Sequence, residues 1–202
     1  SDQQMVYLPN GDLAAINGAN VERIAPNGAR EVLASLGFGL YGLDLGPDGM
    51  LYSADQNTIH RIDPVNGGAT ALSTGIGTPK VLTFSADGST LYVGTNSSGG
   101  AIYEVALDAN YNPVGNATLI GETTDWAGNA TWHDGIGVDA CGNVYVAEFW
   151  SGALYILPPG GDVYQLIDYG FSEYGHGLVW GSGIGSWDVF SLYIPQPYDN
   201  DT

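Results

Sequence analysis

Four stretches of this sequence superpose on one another: MVYLPNGDLAAIN (5–17), LDLGPDGMLYSAD (43–55), LTFSADGSTLYVGTN (82–96) and IGVDACGNVYVAE (136–148). Each is a short apolar run, a glycine-containing turn and a second run. Asn10-Gly11, Asp48-Gly49 and Asp87-Gly88 supply the positive-φ positions that tight turns require, and Cys141-Gly142-Asn143 is an altered fourth version. A third segment follows each hairpin with apolar and polar residues alternating: NVERIAP (20–26), TIHRIDP (58–64), AIYEVALD (101–108) and GALYILPP (152–159). REVLAS, ATALST, ATLIGE and VYQLID then close the four units. Four antiparallel strands recurring at about 40-residue spacing predict an all-β chain, a β-propeller of four-stranded blades.

The blades are expected at 5–36, 41–74, 80–122, 134–168 and 176–202, with a surplus loop, ETTDWAGNATWH (122–133), before the fourth. The fifth unit offers only GLVWGSG (177–183) and SLYIPQ (191–196) before the sequence ends at Thr202. We therefore expect one propeller domain, 1–202, with four recognisable blades and the first half of a fifth, truncated at its C-terminus. Segment 29–36, AREVLASL, has helical propensity, but the repeat places it as the outer strand of the first blade.

Composition narrows the function classes. The 202 residues carry 22 acidic and 4 basic side chains, a net charge of −18. Sixteen of the acids are Asp and six are Glu, and Asp suits turns where Glu suits helix faces. Arg23, Arg30, Arg61 and Lys80 are the whole basic complement, so no patch can neutralise a nucleic-acid backbone or dock on anionic lipid. No apolar run approaches the roughly 20 residues of a membrane span, so an integral membrane protein is not expected. Cys141 is the single cysteine and excludes an intramolecular disulfide framework. The clean polar start and the acidity lead us to expect a secreted, periplasmic or extracellular protein with its signal peptide already removed. GFGLYG (37–42) fits Gly-x-Gly-x-x-Gly but opens no helix, so no nucleotide cofactor is expected.

Aligning the blades on their turns puts Gln3, Tyr41, Lys80, Asp134 and His176 at the start of each first strand. Asn17, Asp55, Thr95 or Asn96, Glu148 and Gln196 fall at the end of each second strand. Both positions lie at the same end of an up-and-down blade, and we expect that end to be the functional face. His133, Asp134 and Glu148 are candidate ligands of a divalent cation there, converging with His176 between adjacent blades. Imidazole with carboxylates suits zinc, and carboxylates with amides suit calcium. Alternatively Asp134 bonds loop amides and Glu148 faces solvent. Without metal, Asp134 and His176 form a candidate catalytic acid–base pair. Lys80, the only lysine, is expected as an internal counter-ion rather than a Schiff-base nucleophile.

All five tryptophans lie between positions 126 and 187. Tyr41, Lys80, Trp126, Trp132 and Trp150 are the candidate ligand-binding residues, with Tyr174 and Trp180 nearby. Such rings can form a platform for a carbohydrate or an apolar small molecule, or can pack blade against blade.

HDGIGVDACGNVYVAEFWSGALYIL (133–157) resembles the gluconolactonase/senescence-marker-protein family of calcium-dependent lactonases: Asp-Gly, an apolar pair, Asp, a Gly turn, an apolar strand and a Gly-initiated third strand. LTFSADGSTLYVGTN resembles the same family and the wider strictosidine-synthase-like and NHL-repeat propellers. The resemblance implies a divalent cation on the axis, calcium first and zinc second, with Asp134 matching the family's Asp-Gly ligand. Lys80 stands where that family would place Asn, and no Glu matches its first ligand. Two functions follow as expectations. One is a secreted lactonase-type hydrolase acting on a small molecule through a cation at Asp134. The other is a non-catalytic propeller that binds a ligand or protein partner, or serves as a structural subunit of an extracellular assembly. A cation on Asp134 favours the first, and Lys80 paired to Asp134 favours the second.

Overall fold

The computed structural model describes residues 4–37, 39–55, 57–96, 100–124, 131–170, 175–181, 183 and 185–195, and these form strands and turns without an α-helix. Blade 1 is β1 (Met5–Tyr7), β2 (Leu13–Asn17), β3 (Asn20–Ile24) and β4 (Arg30–Ser35). Blade 2 is β5 (Gly42–Leu45), β6 (Leu51–Ala54), β7 (Ile59–Ile62) and β8 (Ala69–Leu72). Blade 3 is β9 (Pro79–Phe84), β10 (Thr90–Thr95), β11 (Ala101–Ala106) and β12 (Thr118–Glu122). Blade 4 is β13 (His133–Val138), β14 (Val144–Glu148), β15 (Ala153–Leu157) and β16 (Tyr164–Asp168). A small fifth sheet pairs β17 (Val179–Trp180) with β18 (Leu192–Tyr193). Every blade is an antiparallel meander in chain order, and the first strands β1, β5, β9 and β13 touch in succession around the axis. This is the β-propeller that the repeats predict, and AREVLASL supplies an outer strand, β4.

The apolar positions of each strand bury themselves between blades rather than within one. Ile16, Val21 and Leu33 of blade 1 pack with Leu43, Leu51 and Ile62 of blade 2. Tyr52 and Ile59 of blade 2 meet Leu82, Phe84, Leu91 and Val93 of blade 3, with the Tyr52 and Phe84 rings edge to face at 4.8 Å. Val81 and Ile102 of blade 3 close on Ile136, Val144, Val146 and Leu157 of blade 4. A full-size aliphatic side chain contributes about 1.5–3 kcal/mol when fully buried, so each blade is stabilised chiefly by its neighbours.

The turns explain much of the Asp excess. Asp48 Oδ1 accepts from the Met50 amide at 3.1 Å, Asp87 Oδ1 from Ser89 at 3.0 Å and Asp139 Oδ1 from Cys141 at 2.9 Å. Gly49 and Gly88, at φ of +75° and +72°, follow two of these acids, in loops longer than the dipeptide alone.

Candidate functional site

Two first strands carry an extra residue near their start. In blade 3, Gly94 pairs with Val81 and Thr95 with Pro79, so Lys80 is left out of the ladder. In blade 4, Glu148 pairs with His133 and Ala147 with Gly135, which leaves out Asp134 in the same way. Such bulges re-aim a side chain that strict alternation would send elsewhere. Here the two displaced side chains meet. Lys80 Nζ donates to Asp134 Oδ1, and Asp134 Oδ2 lies 2.9 Å from His176 Nδ1. The Lys80 and Asp134 side chains are 6% and 4% exposed, and the imidazole 23%.

Backbone contacts fix this register. The Gly177 amide donates to the Asp134 carbonyl at 3.0 Å, which places His176 beside the carboxylate. Gly135 allows the approach, because a Cβ there would stand 2.4 Å from the Gly177 carbonyl carbon. Burial pushes the Asp134 carboxyl up, but the His176 hydrogen bond and the Lys80 charge outweigh it and hold the group below the usual carboxylate range.

Aromatic side chains wall the cluster. Lys80 Nζ sits 5.2 Å from the Tyr41 ring centre and 5.8 Å from that of Trp132, within cation–π range. Trp132 and Trp150 are edge to face at 5.3 Å, and Phe149 bridges Trp150 at 5.1 Å to the His176 ring at 5.0 Å. Trp132 and Trp150 remain 37% and 42% exposed, so they can present ring surface to a ligand. Trp180 instead packs between sheets, donating from Nε1 to the Val138 carbonyl at 3.0 Å. Trp126, Gln3, Tyr174 and Gln196 lie outside the described residues.

His133 and Glu148 do not join Asp134. His133 is fully buried between blades 4 and 3, with Nε2 on the Thr123 hydroxyl at 2.7 Å and its ring against Gly94 of β10. Burial, and then the Lys80 ammonium, push its pKa down to about 3, so the ring is neutral at physiological pH. Glu148 does not face solvent either. It is fully buried and accepts from the backbone amides of Trp132 at 3.0 Å, Trp150 at 2.9 Å and Ser151. Asp55 does the same work in blade 2, accepting from Asn57 at 2.9 Å and Thr58 at 2.8 Å. Among the described residues, Asp55 and Glu148 at the ends of their second strands thus hold the following turns together, and the starts of the first strands build the site.

These contacts decide the fit of a divalent ion. Calcium takes six to eight oxygen ligands from carboxylates, carbonyls and water. Both oxygens of Asp134 are engaged, one by an ammonium and one by an imidazole, and those of Glu148 by three amides. Among the described residues no group of three or more His, Cys, Asp or Glu could hold a metal ion. The proposed set of Asp134, Glu148 and His133 is not assembled, because Asp134 turns to Lys80 and His176, Glu148 to three backbone amides and His133 to Thr123 of the preceding blade.

A cavity of about 610 Å³ runs along the axis, from Gly177 and Pro195, whose backbones bond to Asp134 and His176, to Asp44, Phe84, Val138 and Trp180. Sequence reasoning missed Phe149 and Thr123, which carry no local signal, and the two bulges, which only strand pairing shows.

Comparison with known proteins agrees with the propeller fold. The family model described as SMP-30/Gluconolactonase/LRE-like region matches residues 35–175. No curated protein sequence matches the chain. Among solved structures, a gluconolactonase from Xanthomonas campestris superposes with a TM-score of 0.77 at 15% identity, over 96% of this chain and 69% of that one. Regucalcin from Agrobacterium tumefaciens, described as a calcium-binding protein, gives 0.71 at 19% identity, over 88% and 63%. Virginiamycin B lyase from Staphylococcus aureus gives 0.69 at 17% identity, over 95% and 62%, so the chain spans less than two thirds of that lyase. At these identities the structural likeness shows the fold alone. Among the described residues no helix is long and apolar enough to cross a membrane.

Proposed function

Because the chain belongs to the SMP-30/gluconolactonase/LRE-like family, we propose that it binds a small lactone-type ester at the axial mouth and hydrolyses it there. One observation carries the reading: Asp134, buried on the axis, grips His176 Nδ1 at 2.9 Å. An imidazole oriented through Nδ1 by a carboxylate exchanges protons through its other nitrogen, here the buried Nε2, once substrate and water reach it, and the carboxylate stabilises the imidazolium that forms. Water adds to the ester carbonyl carbon as its proton passes to His176. The ring C–O bond then breaks, and the proton returns from His176 to the leaving oxygen, giving a hydroxy acid. Trp132 and Trp150 offer ring faces on which a cyclic substrate can rest.

Membership of the family is consistent with a divalent cation, and regucalcin is described as calcium-binding. The described side chains do not fit such an ion, and no step is assigned to it. A second reading, a propeller that binds a small molecule without turnover, is favoured by the Lys80–Asp134 ion pair, which engages the carboxylate. A panel of five- and six-membered lactones separates the two. Hydrolysis above the spontaneous rate, lowered about 100-fold or more in His176→Ala, is the expected result. Calorimetric binding without hydrolysis would select the second reading, and neither binding nor hydrolysis contradicts both.

A further inference from the structure

We infer that Lys80 is the resident cation of this site: its ammonium stands on Asp134 where a divalent ion would sit, and the site works without one. The inference concerns the site proposed above but holds whether or not that site turns over a substrate. It begins with placement. The chain has 4 basic residues against 22 acidic ones and a single lysine, and that lysine is buried on a first-strand bulge rather than spread on the acidic surface. The bulges at Lys80 and Asp134 stand at the same point of adjacent blades, 3 and 4, where the first-strand ladders of blades 1 and 2 run without one, so these two positions are set apart together. Tyr41 and Trp132 place two ring faces near the ammonium, surroundings that suit a compact organic cation and offer calcium few oxygens.

Charge argues the same way. A divalent ion entering between Lys80 and Asp134 would meet a like charge in a poorly solvated place, where Coulomb terms are several-fold stronger than in water. It would also have to displace the imidazole or the ammonium from Asp134. An ammonium carries three N–H donors, of which Asp134 engages one. Next to His176, a fixed positive donor can polarise a carbonyl or hydroxyl oxygen of the ligand, the role of Lewis acid in metal-dependent sites.

The test uses cation binding and stability rather than turnover. Wild-type protein is dialysed against calcium, manganese and zinc in turn and analysed for bound metal. It is then melted with EDTA and with calcium at roughly 100 times the dissociation constant of a micromolar site. Well under one equivalent of metal and equal melting temperatures are expected. One equivalent that disappears in Asp134→Asn would overturn the inference. In a second arm, Lys80→Met should melt several degrees below wild type, and the doubly neutral Lys80→Met/Asp134→Asn should recover most of the loss. A Lys80→Met protein as stable as wild type, or a double variant no better than the single one, would contradict the counter-charge role. If Lys80→Met alone does not fold, the double variant and the wild-type dialysis still decide.

Discussion

Asp55 and Glu148 hold the same position in two blades, and both use their carboxylates to gather backbone amides of the turn that follows. A buried acceptor shared by several N–H groups is costly to remove, because each donor is then left without a partner. Glu148→Ala is therefore expected to destabilise the protein by at least about 2 kcal/mol in urea denaturation, with or without calcium. A loss of stability that appears only when calcium is present would return Glu148 to a ligand role. Asp44, at the other end of the axis, gives a pH prediction of opposite sign to ordinary acid denaturation. Burial, opposed by hydrogen bonds from the Leu45 and Phe84 amides and from Thr83, pushes its carboxyl from the ordinary 3.8 up to about 6. Between those values the folded chain binds more protons than the unfolded one. Its contribution to stability is thus present below the lower value and is lost as pH rises through the upper one. Asp44→Asn should stabilise the protein near neutrality by an amount of order 1 kcal/mol relative to its effect at about pH 4. Equal changes in melting temperature at both pH values would contradict this.

At the scale of elements, the site depends on first strands that run unusually close together. A methyl group on Gly135 would collide with the Gly177 backbone, and one on Gly42 would stand 2.5 Å from the Lys80 carbonyl oxygen. Gly135→Ala is expected to cost about 1–3 kcal/mol. It should also separate Asp134 from His176, so that the histidine's nuclear magnetic resonance signals move. An unchanged His176 signal in a destabilised variant would show that the strand spacing does not set the contact. Strand order and strand ends were legible in the sequence, because the apolar alternation and a glycine-containing turn repeat four times. The bulges were not, since a pairing shift is a property of two strands and leaves no mark on one. For that reason His133, Asp134 and Glu148 read as one cluster, whereas the bulge sends Asp134 to the axis, His133 against the preceding blade and Glu148 onto the amides of its own turn.

For the whole molecule, the repeats specify a propeller because each blade buries its apolar faces only against the next. The net charge of −18 has two structural sources: turn acids such as Asp48, Asp87 and Asp139, and carboxylates that cap turns or pair on the axis. Tyr41, Lys80, Asp134 and His176 were legible as a ring of equivalent positions, and the structure brings them together. What the sequence left open was how charge is balanced there, because Lys80 and Asp134 are 54 residues apart and meet only through the ring. The most direct measurement is lactone hydrolysis by wild type and Asp134→Asn in the presence of EDTA, followed in a pH-stat, with folding checked by circular dichroism. The expected result is wild-type turnover that resists EDTA and falls roughly 10²–10⁴-fold in Asp134→Asn. Turnover that survives Asp134→Asn, or that EDTA abolishes and calcium restores, would contradict a site built on Asp134 and its own side-chain partners.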